Sequence, residues 1–205
     1  MVAVKVSLSD QFHPLKPRNK NSKSMQTADL SSNFFALFGL PVSFDVDLDE
    51  LAARYHDMQR AVHPDKFANA PESERRLSVQ MAAHVNEGLQ TLKDPLARGR
   101  YLLELRGVEL NDTDTALDGA FLMEQMELRE HLDQVRESTN PEAKLQHLIR
   151  DIRARIKELI GQMAAALEGN DVQSLQDARD KMRKLQFFRR LEEEAAELDE
   201  ELAGL

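Results

Sequence analysis

The chain has 205 residues, 41% apolar and 31% charged, with a formal net charge of −9. That suits a globular chain with a real core and argues against disorder throughout. Cysteine is absent, which excludes disulfides, thiol catalysis, thiolate zinc sites and iron–sulfur ligation by the chain's own cysteines; no apolar run approaches the roughly 18 residues of a membrane span.

Leu (29) and Ala (22) far outnumber Val (11), Thr (5) and Ile (4), and only 8 Gly and 7 Pro are present. Leu and Ala favour helix, β-branched residues favour strand, and an all-β fold needs more turn residues, so the expected fold is all-α. The charge is uneven. Residues 1–30 carry five basic and two acidic groups, residues 31–106 nine and eleven, and residues 107–205 thirteen and twenty-three. So acidic a surface argues against nucleic acid and against an anionic membrane as partners.

Residues 1–30 lack a helical period and contain FHPLKPRNKNSKS. They read as a disordered or flexible extension. No apolar core of signal-peptide length follows the N-terminal charge; a transit peptide, or a mis-assigned start with Met25 as the true one, are the alternatives. Order is expected to begin at Ser31-Ser32-Asn33, N-cap residues before FFALFGL, with Gly39 and Pro41 stopping a short helix. A second helix is expected over about 47–62, because Leu48, Leu51, Tyr55, Met58 and Val62 recur at helical spacing on one face. Pro64 ends it. A loop, KFANAP, leads to a third helix from about Pro71 to Leu92, and Asp94-Pro95 breaks the chain before a fourth, Leu96 to Leu105. Residues 107–116, GVELNDTDTA, read as a linker. Three longer helices are expected over about 117–137, 142–167 and 171–202, punctuated by Asn140-Pro141 and Gly169-Asn170. Short joints between long helices make an antiparallel three-helix bundle.

His63-Pro64-Asp65 stands between the second and third helices. Proline fixes the backbone, and an imidazole and a carboxylate project on either side of it. The plainer reading is a loop whose Asp begins the next segment. The triplet follows LDELAARYHDMQRAV, precedes KF, and is followed later by VNEGLQTLKDPLARGRYLL. This ordered set, over about residues 33–106, resembles a J domain, the unit that activates DnaK-type ATPase chaperones. The resemblance implies that His63, Pro64 and Asp65 contact the chaperone and stimulate its ATP hydrolysis, with Arg54 and Arg60 as the matching basic positions. Asp47, Asp49, Glu50 and Asp57 share that helix, a departure from the family's strongly basic norm.

The helix after the linker has two apolar sides. At about 100° per residue, Leu117, Phe121, Leu128, Leu132 and Val135 fall within about 60° and form the core stripe. Leu122, Met126 and Met123 fall on the far side, beside Glu127, Glu130 and Gln134. An apolar patch rimmed by carboxylates either binds a partner or packs on the first domain. The segment AFLMEQMELREHLDQV, with RKLQFFRRL in the last helix, extends the resemblance to HscB-type co-chaperones of iron–sulfur cluster assembly, over roughly residues 33–205. It implies a C-terminal bundle that binds the cluster scaffold protein IscU and a J domain that engages the chaperone HscA. Leu122, Met123, Met126, Glu127 and Glu130 fall on scaffold-contact positions, and Phe187 on an aromatic one. Met126 stands where Leu is usual, and Gln134 where Glu is expected. Eukaryotic members carry a cysteine-containing zinc module, so the bacterial form, and with it the cytoplasm rather than the mitochondrial matrix, is the better match.

The resulting expectation is an extension (1–30), a J domain (31–106), a linker (107–116) and a scaffold-binding three-helix domain (117–205), with no cofactor, no metal and no catalytic residue. Asp45, Asp47 and Asp49 mimic the start of a calcium loop, but Glu50 occupies the position needing Gly and His56 the position needing Glu. No H-E-x-x-H pair, glycine-rich phosphate loop or G-x-S-x-G elbow occurs. The competing class is an enzyme using His63 and Asp65 as an acid–base pair, which needs a substrate pocket and further polar groups near the turn. A general J-protein with another client is the third.

Overall fold

The computed structural model describes residues 32–110 and 119–204. It contains α1 (Phe34–Phe38), α2 (Leu48–Val62), a 3₁₀ turn (Pro64–Phe67), α3 (Glu72–Lys93), α4 (Pro95–Leu105), α5 (Gly119–Asp133), α6 (Pro141–Glu168) and α7 (Val172–Ala203), with no strand among the described residues. The expected extension 1–30, the candidate cap Ser31, most of the linker and Leu117 lie outside those residues.

Side chains written in the sequence end and begin these helices. Asn33 accepts from the Ala36 N–H at 2.9 Å, and Gly39 closes α1 with a φ of 65° that a side chain would resist. Asp47 accepts from the N–H groups of Asp49 and Glu50, satisfying first-turn donors of α2. Asp94 caps α4 through the Ala97 N–H at 2.8 Å. Asn140 caps α6, and Asp171 caps α7 through the Ser174 N–H at 3.1 Å.

α2 and α3 form a hairpin that carries α1 across one side. A Cβ on Gly88 would come within 2.9 Å of Phe34 and 3.0 Å of Phe38, so the glycine is what lets α1 settle on α3. The Phe34 N–H donates to the Tyr101 hydroxyl at 2.9 Å, tying α1 to α4. In the second half α6 and α7 pack along their whole length. Gln146 with Asp199 and Arg153 with Glu192 pair in opposite chain directions, which makes the pair antiparallel. α5 leans on α7 through side chains: Phe121 is buried and meets Phe187 edge-on at 5.7 Å.

Three sequence expectations are corrected. Leu48 is 49% exposed rather than part of the α2 core face; it stands in the first turn, ahead of the buried Leu51. α5 ends at Asp133 instead of running to 137. Beyond it the N–H groups of Val135 and Ser138 reach back only three residues, and the Ser138 hydroxyl takes the Val135 carbonyl at 2.8 Å, so a local side-chain bond replaces the next helical one. Val135 nevertheless stays fully buried. The segment after His63 begins as a 3₁₀ turn, not an open loop.

The two halves share one continuous core, from Phe34 and Phe35 to Leu198. α4 is the joint: it packs on α3 within the first half and on α6 and α7 of the second. Asp94 at its start pairs with Arg189 of α7, and Arg106 at its end donates to the Gly169 carbonyl at 3.3 Å. Between them a Cβ on Gly99 would lie 2.8 Å from the Met163 sulfur, so α4 and α6 approach closely there and any larger residue would make the end of Met163 shift. Arg98 is buried beside this seam, donates to the Leu92 carbonyl at 2.5 Å and stacks its guanidinium 4.8 Å over Phe44. Burial lowers its pKa, against the pull of Asp94 and Asp45.

Candidate functional site

His63 closes α2 and opens the 3₁₀ turn at once. Its φ of −57° and ψ of 126° are extended, as a residue before proline prefers. The Asp65 N–H donates to His63 Nδ1 at 3.3 Å. Asp65 Oδ2 lies 3.6 Å from the same nitrogen, too far for a hydrogen bond. The carboxylate side chain is 90% exposed, so the turn offers an oriented imidazole and an unclamped anion to an incoming surface. His56, Gln59, Arg60 and Lys66 line a shallow hollow beside it.

The two basic positions are partnered on their own helix. Arg54 pairs with Glu50 at 3.2 Å, and Arg60 pairs with Asp57. Two of the four acidic residues that set this helix apart from a strongly basic one, Glu50 and Asp57, are therefore the partners of its arginines, and a third, Asp47, is its N-cap. Such exposed pairs contribute under about 1 kcal/mol each and exchange readily for a better acid.

The second site is on α5. Leu122 is 53% exposed, Met123 59% and Met126 62%, while Phe121, Leu132 and Val135 on the opposite side are buried. The alternative that this patch packs on the first half is excluded, since the three side chains face solvent. Glu127 and Glu130 are exposed beside them. Gln134 is also exposed, and its amide donates to Glu130 Oε1 at 3.0 Å. Where a second acid was expected, an amide instead holds the first one in place. Phe187 is half-buried, packed between Phe121 and Phe188, so it contributes an edge rather than a face.

Sequence reasoning missed the groups that hold α5 and the seam. Arg129 stacks 5.7 Å over the Phe187 ring, and Lys184 sits 4.9 Å over Phe121. Arg155 reaches Glu124 at 3.6 Å. These cations cover the aromatic cluster from which the α5 face projects. Asp94-Pro95 carried a legible signal, since Asp before Pro is a helix-start pattern as well as a break. Among the described residues no three His, Asp or Glu side chains gather as a metal site, and no helix is long and apolar enough to cross a membrane.

A family model described as the HSCB C-terminal oligomerisation domain matches residues 117–196. A co-chaperone protein HscB homolog from Shewanella baltica is 43% identical over 171 residues, covering 83% of this chain and 98% of the relative. That from Shewanella oneidensis is 45% identical over the same shares. The chain belongs to the HscB family of co-chaperones. The structure of HscB from Vibrio cholerae superposes with a TM-score of 0.76 at 40% identity, covering 83% of this chain and 99% of that one. Human HscB gives 0.77 at 30% identity, over 92% and 95%. The J-domain hairpin and the helical bundle seen here are thus the HscB architecture. As a member of this family, the chain is a co-chaperone of iron–sulfur cluster assembly.

Proposed function

We propose that this HscB-type chain binds the iron–sulfur scaffold protein IscU on the exposed face of α5 and delivers it to the DnaK-type chaperone HscA. The turn His63-Pro64-Asp65, assisted by Arg54 and Arg60, stimulates the chaperone's ATPase. The chain itself performs no chemistry: the ATPase site belongs to the partner, and this chain contributes binding energy and geometry. Residues 31–106 serve as the J domain and 117–205 as the scaffold-binding domain.

The observation that carries the reading is the α5 face. Leu122, Met123 and Met126 are exposed on the side opposite the buried Phe121 stripe, where a folded monomer gains nothing from three large apolar side chains. Glu127, Glu130 and Gln134 rim the patch, and Phe187 borders it. An enzyme reading of His63 and Asp65 fits less well, because the imidazole's Nδ1 is occupied by a backbone N–H and both side chains lie open to water.

The test is twofold. Titration calorimetry of the full chain against the scaffold should detect binding that the triple Leu122, Met123 and Met126 to Ala variant loses. ATP turnover should rise only when the chaperone is present. Binding of a client other than the scaffold at the same face, with no scaffold binding, would instead assign the chain as a general J-protein.

A further inference from the structure

We propose that Met123 and Met126 form a peroxide-sensitive modification site, through which oxidation of two thioethers turns off client binding at the α5 face. This rests on the reading of that face as the scaffold-binding surface.

The argument starts from where the methionine sulfurs lie. Met81, Met163 and Met182 are 4%, 0% and 2% exposed, and Met58 is partly buried. Met123 and Met126 are the exposed ones among the described residues. Methionine oxidation follows access, so among the described methionines a small oxidant meets these two first. Their spacing of three residues places both on one helix face, beside Leu122. Oxidation at one site therefore changes the same surface as oxidation at the other. The fold has no stake in either residue, because Phe121, Leu132 and Val135 close the bundle from the other side. The site is thus sensitive where binding is made and insensitive where folding is made.

The co-substrate class is an uncharged hydroperoxide, hydrogen peroxide in the simplest case; the acidic rim of Glu127 and Glu130 disfavours anionic oxidants. One peroxide oxygen bonds to the thioether sulfur as the O–O bond breaks. The sulfur supplies two electrons, and the second oxygen leaves with both hydrogens as water. The product sulfoxide carries a strong polar acceptor in place of a soft apolar atom. Buried at the centre of an apolar interface without a donor, it opposes binding. Sulfoxide reductases reverse the change, so the patch can act as a switch.

The experiment treats the full chain alone with hydrogen peroxide, removes the peroxide with catalase, and only then adds the scaffold. Peptide mass spectrometry follows the added oxygen at each methionine. Met123 and Met126 should oxidise about tenfold faster than Met81, Met163 and Met182, in order of access. The melting curve of the treated protein should not move, its scaffold affinity should fall about tenfold or more, and methionine sulfoxide reductases should restore it. The double variant Met123→Leu, Met126→Leu is compared with itself, treated against untreated, so that whatever affinity the leucines give cancels. Treatment should leave its affinity where it was. Uniform oxidation of all methionines overturns the proposal, as does an equal loss of affinity in the wild type and the leucine variant. Should both methionines carry oxygen while binding is unchanged, the inference alone fails; should untreated wild-type protein not bind the scaffold, the functional reading fails with it.

Discussion

The two proposed binding regions are built on opposite principles. The His63 turn is polar and small, and it is held by its own backbone: proline fixes one dihedral and the Asp65 N–H seats the imidazole. The α5 face is apolar and broad, and it is held from behind, by Phe121 against Phe187 and Phe188 under a cover of cationic side chains. A turn of the first kind suits a transient contact that must orient one or two groups. A face of the second kind suits a stable contact whose strength comes from removing apolar area from water. On the proposed function, the difference teaches that this chain separates signalling from grip and places each where the local chain supports it with the fewest constraints.

The sharpest way to break this comparison is at the turn. His63→Gln or Asp65→Asn should abolish stimulation of the chaperone's ATPase, while scaffold affinity stays as in the wild type. Both residues are exposed and lie off the core, so the stability change should remain within about 0.5 kcal/mol. Steady-state ATP turnover beside a melting curve decides it. Unfolding of either variant, or normal stimulation, would mean the turn does not carry the signal.

The second test exchanges grip for fold. Truncating Leu122, Met123 and Met126 together to Ala should weaken scaffold binding by several kcal/mol, as for the central cluster of a small interface. Its effect on stability should be far smaller than that of Phe121→Ala on the same helix, which should cost about 3–5 kcal/mol. Calorimetric titration of the first and thermal unfolding of both separate the two sides of α5. Stimulation of the chaperone in the absence of scaffold should survive the triple change, because His63 lies in the other half.

How much of this was legible in the sequence depends on range. Each helix, its caps and the two-sided nature of α5 could be read from residues a few positions apart, because periodicity and capping are local properties. The fusion of the halves could not. Asp94 and Arg189 lie 95 residues apart, Arg106 and Gly169 lie 63 apart, and no local pattern records that they meet. Gly99 left a faint trace, since a glycine inside a helix costs stability and implies a close neighbour. Leu48 misled because it sits at the right phase but one turn too early to reach the core. At the turn the residue types were legible, whereas the pairing of Arg54 with Glu50 and of Arg60 with Asp57 needed the geometry.

The joint between the regions gives the third test. Arg189→Ala removes the α7 partner of Asp94 but leaves Asp94 free to cap α4. Both groups are more than a third exposed, so the pair should contribute no more than about 1 kcal/mol, equivalent to about 2–4 °C in thermal midpoint for a chain of this size. Gly99→Ala forces a methyl against Met163, whose flexible end can yield, and should cost about 1–3 kcal/mol. Binding of the scaffold alone should be unchanged in Arg189→Ala. If the seam sets the relative placement of the two sites, stimulation by the scaffold-bound form should drop more than stimulation by the free form. Equal drops would mean that the seam supports stability alone.

The smallest expected effect lies at the rim. Glu127 and Glu130 are exposed, so their energies are screened by water and salt. Glu127→Lys or Glu130→Lys should therefore leave stability nearly untouched and act mainly on the rate of association if the scaffold presents basic groups. The two positions should differ. Glu127 acts as a point charge, whereas Glu130 is held by the Gln134 amide, so its carboxylate is already oriented when the partner arrives. Gln134→Glu places a like charge four residues from Glu130, at a cost of about 0.2–0.5 kcal/mol in helix stability, and it removes the donor that orients Glu130. Added negative charge should speed association at low salt, while the lost orientation should shorten the life of the complex. Stopped-flow association and dissociation rates at low and high salt read the two effects separately. A Gln134→Glu variant that associates faster and dissociates no faster would show that charge alone matters at this rim, and that the hydrogen bond to Glu130 has no part in grip.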